Sequence, residues 1–285
     1  MINKIPPGKS EFALKQRFTS AFVLLVITFG CILGSEISRV LFFAAAGVIC
    51  SYELSRNLEK LGIACCAWVM YTHMAIQAIL ALLHAPLDYC VAALTLAIFL
   101  AMFSGILHPR VSGPGAFYTE AGVSYPGFLF VLLMRVSISE IWVETLLLAT
   151  FSSMLCDAFA LFGGMRFGKH KLAPLVSPKK TWEGSICGAI AGTLGGVLVW
   201  LLLPLIPDLP FSDVPLAVCL ITAFLASTAG QIGDLAESLV KRMIGVKDFS
   251  NLIPGHGGLM DRADSLLFAI PTAYLCLLVA QRHFL

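Results

Sequence analysis

Charge is scarce in this chain. Asp, Glu, Lys and Arg make up 13% of its 285 residues, against about 25% in soluble domains, and 58% of the residues are hydrophobic. A water-soluble fold of that composition would expose large apolar patches, so an integral membrane protein is implied. Metal-type cysteine spacing is also missing. The nine cysteines lie mostly inside apolar runs, none forms a C-x-x-C pair, and Cys65 and Cys66 are adjacent. They read as small core hydrophobes, and neither a structural disulfide nor a zinc site is expected. No internal repeat is visible, which argues against an inverted-repeat transporter. Lys4, Lys9, Lys15 and Arg17 precede an apolar run without a small-residue cleavage site, so an uncleaved first helix is expected.

A membrane span needs about 20 apolar residues. Nine stretches qualify: 18–34, 40–55, 61–83, 87–107, 121–139, 141–163, 184–206, 214–233 and 263–281. The second is short and polar-ended at Ser51, Glu53 and Arg56, and the fifth contains Pro126 and Arg135. The expected fold is therefore all-α, a polytopic membrane protein of about nine transmembrane helices. Lys and Arg set its orientation. With the N-terminus cytoplasmic, all 19 except Arg39, Arg135 and Arg282 fall on the inner side, and the 207–213 loop carries none. Residues 1–140 read as a helical scaffold. Residues 141–285 carry most of the polar motifs and read as the catalytic region, with charged cytoplasmic loops at 164–183 and 234–262.

What charge there is gathers in residues 234–264. Asp234, Glu237, Lys241, Arg242, Lys247, Asp248, Asp261, Arg262 and Asp264 lie there, while the flanks 214–233 and 265–284 hold only Arg282. If 234–243 is helical, Asp234, Glu237, Ser238 and Lys241 share one face at i, i+3, i+4 and i+7. Gly255, Gly257 and Gly258 predict a loop, with a new helix starting near Asp261. A Gly-rich loop at a helix N-terminus offers backbone N–H groups to phosphate. Asp234, Asp261 and Asp264 offer the oxygen ligands Mg²⁺ takes beside substrate phosphates, and Lys241, Arg242, Lys247 and Arg262 can neutralise phosphate. The plainer readings are a surface ion pair for Glu237 and Lys241 and a helix-dipole acid for Asp261. His256 reads as a phosphate contact, a proton carrier or a shaper of the loop.

The second polar stretch is 157–183. Asp157 falls inside a span, where a carboxylate costs roughly 2.5–3.5 kcal/mol and is a functional candidate by default; its plainer reading is a buried acid held by a hydroxyl or a base. Lys169, Lys171, Ser177, Lys180 and Thr181 can hold phosphate oxygens. The alternative is orientation by the basic residues, with Thr181 as helix N-cap and Glu183 in the first turn.

Two ordered patterns resemble a known family. Ser238-x-x-Lys241-Arg242, Lys247-Asp248 and His256-Gly257-Gly258-x-x-Asp261-Arg262-x-Asp264 look like the signature of the phosphatidate cytidylyltransferase family, and Ser177-Pro178-x-Lys180-Thr181-x-Glu183-Gly184 looks like its second motif. Asp157 takes the place of the Asp in a third motif, here Asp157-Ala158-Phe159-Ala160. The resemblance covers about residues 155–271. It implies transfer of CMP from CTP to phosphatidic acid, giving CDP-diacylglycerol and pyrophosphate in phospholipid biosynthesis. It further implies Mg²⁺, with a second cation left open, a homodimer, no nucleic-acid partner, and an inner-membrane protein whose site faces the cytoplasm. On this reading Asp234, Asp261 and Asp264 ligate metal, with Asp234, Asp261, Lys241 and His256 as the catalytic group. Asp157, Ser177, Lys180, Thr181, Lys241, Arg242, Gly257, Gly258 and Arg262 bind substrate. The competing readings are a CTP-dependent lipid or polyprenol kinase, an ion-coupled transporter and an inactive scaffold.

Overall fold

The computed structural model describes residues 7–205 and 214–283, and the side chains of 18–205 and 214–282. Lys4 and the 207–213 loop lie outside the described residues. The chain forms two compact units. The first comprises Met1–Val131 and Val246–Arg262, the second Leu132–Gly245 and Ala263–Leu285.

The first unit is built from α1 (Pro7–Ile32), α2 (Glu36–Lys60), α3 (Ala67–Leu82), α4 (Leu87–Leu107) and α5 (Gly113–Gly122). Helix α2 begins where the Ser35 hydroxyl accepts from Ser38 N, with Glu36 in its first turn and Lys60 in its last, so both ends complement the helix dipole. After α5 the span is kinked through Val123–Phe128, where Tyr125 is extended ahead of Pro126. Proline has no N–H to continue the ladder, and the helix resumes as α6 (Leu129–Ser137), within which the first unit ends. Cys66, Val69, Met70, Ala97, Ala101 and Ala116 form an apolar core between these helices.

In the second unit, α7 (Trp142–Phe167), α8 (Trp182–Leu202), α9 (Leu216–Ile244) and α10 (Leu266–His283) pack on one another. A short antiparallel hairpin, β1 (Lys171–Ala173) and β2 (Ser177–Thr181), joins α7 to α8, so part of the expected 164–183 loop is ordered sheet. Small residues let the helices close in. A Cβ added at Gly184, Gly188 or Gly192 would press on Ala160 O, Cys156 O or the Ser227 side chain respectively. A stripe of glycines four apart is the way apolar helices approach closely when no hydrophobic drive separates lipid from helix.

Among the described residues, seven helical segments are long and apolar enough to cross a membrane, and Phe18–Ile32 and Ala67–Leu82 are shorter apolar helices. These nine correspond one to one with the nine expected spans. The side chains left on the outside are large hydrophobes, Phe22, Phe103, Ile190 and Phe224 among them, which suits lipid. Helix α9 does not stop where its apolar run ends at 233. It continues through the charged residues and closes at Gly245, whose left-handed backbone (φ +75) donates to Arg242 O and Lys241 O. A residue with no Cβ meets that conformation without strain. The nine cysteines are free thiols.

Candidate active site

The last three turns of α9 carry the centre of the second unit. Asp234, Glu237 and Asp264 bring carboxylate oxygens within 4.8 Å of one another. Asp264 reaches this place because α9 is bare where the start of the last span passes: a Cβ on Gly233 would stand 2.5 Å from Asp264 O, and one on Gly230 3.2 Å from Ser153 Oγ. The Asp264 Oδ1 accepts from Ser265 N at 2.6 Å. Two lysines offset the negative charge. Lys180, from β2, pairs with Asp234 at 2.5 Å, and Lys241 pairs with Glu237 at 2.5 Å. Glu237 is fully buried, so it is no surface ion pair. Asp157, on α7, is exposed on the helix and lies in the electrostatic field of Asp234 and Lys180.

Around these charges the hairpin is fixed by side chains. Thr181 Oγ1 accepts from Gly184 N and caps α8. Glu183, in the first turn, accepts from Lys169 N and His170 N and meets His170 Nδ1 at 2.6 Å. Arg242 donates from Nε to Val176 O, tying the end of α9 to the hairpin, and Ser177 stands on β2. Gln231, one turn before Asp234, bonds with Ser185 Oγ, Ser185 O and Cys156 Sγ, which locks α7, α8 and α9 together beneath the carboxylates.

The rest of the signature belongs to the first unit. Asp261 is buried, and its Oδ2 accepts from Phe249 N at 2.9 Å and Gly258 N at 2.8 Å. The Gly258 N–H, expected for phosphate, is thus donated to Asp261, and Gly257 O accepts from Ile253 N. Gly255 and Gly257 both take positive φ, +78 and +87, as the loop expectation requires. His256 Nδ1 lies 3.1 Å from Ser20 Oγ, which also donates to Pro254 O. Arg262 is exposed.

Spacing alone missed two groups here. Glu237 joins the carboxylates of Asp234 and Asp264, a place the sequence reading had not given it. Glu53 of α2, almost fully buried, accepts from Ser250 Oγ at 2.5 Å, Leu259 N at 3.0 Å and Met260 N at 3.0 Å. Gly258 is pressed so close that a Cβ there would stand 2.7 Å from the Glu53 carboxylate. Asn57, one turn later, donates to Phe249 O and Glu53 O. The one available signal was acidic and amide groups four residues apart inside an apolar run.

Apolar helices that can cross a bilayer, with a cluster of carboxylates and lysines set among them, define an integral membrane protein with a polar, phosphate-compatible centre. Residues 15–280 match the model of the Cytidylyltransferase family. Relatives named phosphatidate cytidylyltransferase include one from Brucella abortus, 34% identical over 263 residues and 92% of each chain. Others come from Aquifex aeolicus, 36% identical over 55% of each chain, and Haemophilus influenzae, 44% identical over 40% of this chain and 39% of that one. The chain belongs to the cytidylyltransferase family and is a nucleotidyltransferase of lipid biosynthesis.

Proposed function

We propose that the protein transfers the cytidylyl group of CTP to phosphatidic acid, releasing CDP-diacylglycerol and pyrophosphate. The observation that carries this reading is the cluster of Asp234, Glu237 and Asp264 flanked by Lys180 and Lys241. The names of the relatives supply the substrates. In the reaction an oxygen of the phosphatidate phosphate attacks the α-phosphorus of CTP. The bond from that phosphorus to the oxygen bridging to the β-phosphate breaks, and pyrophosphate leaves with the electron pair. The attacking group is already an anion, so it needs little help from a base. The work falls on positioning and charge neutralisation.

Asp234, Glu237 and Asp264 offer hard oxygen donors only, a set that fits Mg²⁺, and these residues would hold it. Bound there, Mg²⁺ supplies Lewis-acid polarisation of phosphate oxygens and neutralises developing charge. Lys180 and Lys241 already lie against carboxylates and can pass to phosphate oxygens of the substrates. Arg242 adds a further cation, with Ser177 on the same strand as Lys180, and the family resemblance gives Arg262 a substrate contact. Thr181 holds the hairpin and α8 in place, and Asp157 sets the field around Lys180. Asp261, His256, Gly257 and Gly258 shape the loop. The concentration of Lys and Arg on one side supports a site facing the cytoplasm from the inner membrane. The family resemblance supports a homodimer and leaves room for a second cation.

The test is pyrophosphate release by the full-length protein in detergent with phosphatidic acid, CTP and Mg²⁺, following the lipid product by mass. CDP-diacylglycerol forming only when all three are present supports the proposal. CDP release with a phosphorylated lipid would replace it with a CTP-dependent lipid kinase, and solute flux without CTP consumption would replace it with a transporter.

A further inference from the structure

A cavity of about 720 Å³ opens in the first unit where the end of α2 meets the loop 246–252. Its size falls in the range of about 300–1,000 Å³ usual for small-molecule sites. None of the residues given a part in the reaction above lines it. Three cations do: Arg56 and Lys60 from α2, and Lys247 from the loop. Among the described residues, none of these three makes an ion pair with a carboxylate.

Arg56 and Lys60 are oriented by neutral partners. Arg56 Nη1 donates to Tyr52 Oη at 3.0 Å and its guanidinium lies 5.8 Å from the Tyr52 ring centre. Lys60 Nζ donates to Asn57 Oδ1 at 3.0 Å. The wall behind them is rigid, because Asn57 is fastened to Phe249 O and Glu53 to the loop backbone. Glu53 spends its charge on three donors. That leaves Asp248 as the one other carboxylate in the lining, against three cations.

The geometry points to a phosphate-binding site at this cavity, formed by Arg56, Lys60 and Lys247. Its ligand is the phosphate or diphosphate group of a nucleotide or of a lipid headgroup. Arginine and lysine donors that outnumber the carboxylates around them and pair with none are matched to phosphate oxygens. The site rests on the proposed reaction only for which substrate carries the phosphate.

The test uses the full-length protein in phosphatidylcholine nanodiscs, with chelator present so that the carboxylate cluster holds no metal. Calorimetric titration with inorganic pyrophosphate should show saturable binding to the wild-type protein. Arg56→Gln and Lys247→Gln, both at exposed positions on separate elements, should each weaken it by about tenfold, with unchanged thermal midpoints, and Arg56→Lys should recover part of the loss. Steady-state turnover then names the source. A raised KM for CTP in both Gln variants assigns the site to the nucleotide, and a raised KM for phosphatidate assigns it to the lipid headgroup. No saturable pyrophosphate binding, binding that neither substitution alters, or unchanged KM for both substrates would overturn the site. Wild-type turnover in any of those cases would leave the reaction standing, and absent turnover with pyrophosphate binding intact would do the reverse.

Discussion

Asp234 and Glu237 sit one turn apart on α9 and each meets a lysine, but they differ in exposure, and that difference separates their roles. The Asp234 side chain is 29% exposed and that of Glu237 0%. Asp234→Asn is expected to lower kcat by about 100-fold or more with a thermal midpoint near wild type. Glu237→Gln removes the fully buried carboxylate that pairs with Lys241, itself 13% exposed. Breaking a buried pair costs about 3 kcal/mol or more, so thermal unfolding in detergent should show a clear drop in midpoint for this variant alone. Equal midpoints would refute the distinction. The sequence placed both acids and Lys241 on one helical face, because i, i+3 and i+7 fix direction. Spacing carries no information on whether that face meets water, so a surface ion pair with Lys241 stayed open for Glu237, which is fully buried.

At the scale of elements, two helices do more than span. Helix α8 is a packing surface made of absence. Gly192→Ala sets a methyl against Ser227 Cβ and 3.0 Å from Ser152 O. The overpacking should cost about 1–3 kcal/mol, measured as a lower thermal midpoint, while an alanine at the open Gly113, with nothing within 4 Å, should cost far less. Helix α2 is a clamp. Glu53→Ala strips acceptors from Leu259 N and Met260 N, each worth about 1–3 kcal/mol when left buried and unmet. The 246–260 loop should become the first site cut in limited proteolysis, and protection equal to wild type would remove Glu53 from that role. Helix α2 was the span whose sequence looked weakest, since Ser51, Glu53 and Arg56 interrupt its apolar run. One of those interruptions, Glu53, is the clamp itself. The partners of Glu53 are the Ser250 hydroxyl and the Leu259 and Met260 N–H groups, and a backbone N–H leaves no mark in sequence. The hairpin at 171–181 was illegible for another reason: strands of three and five residues are too short for alternation to register.

For the molecule as a whole, hydropathy sufficed to place nine apolar helices, since a bilayer admits few other solutions for a backbone. It failed at the end of α9, because apolar composition stops with the membrane whereas a helix stops with its cap. A site built on carboxylate oxygens also makes a prediction for the intact protein. Activity should vanish on chelation, return with Mg²⁺, and fail to return with Mg²⁺ in Asp264→Asn. Full turnover in chelator would end the metal proposal.

The clamp between Glu53 and Met260 spans 207 positions, and this sets a timetable for biogenesis. At about 5–20 residues per second on the ribosome, roughly 10–40 s pass between synthesis of the carboxylate and synthesis of its partners. Throughout that interval the second span is threaded into lipid with an acid that has no loop to hold. Nascent chains ending before residue 246 should therefore keep that span loosely inserted and open to degradation. On this timetable, synthesis of the loop near residue 250 is what brings Glu53 its partners.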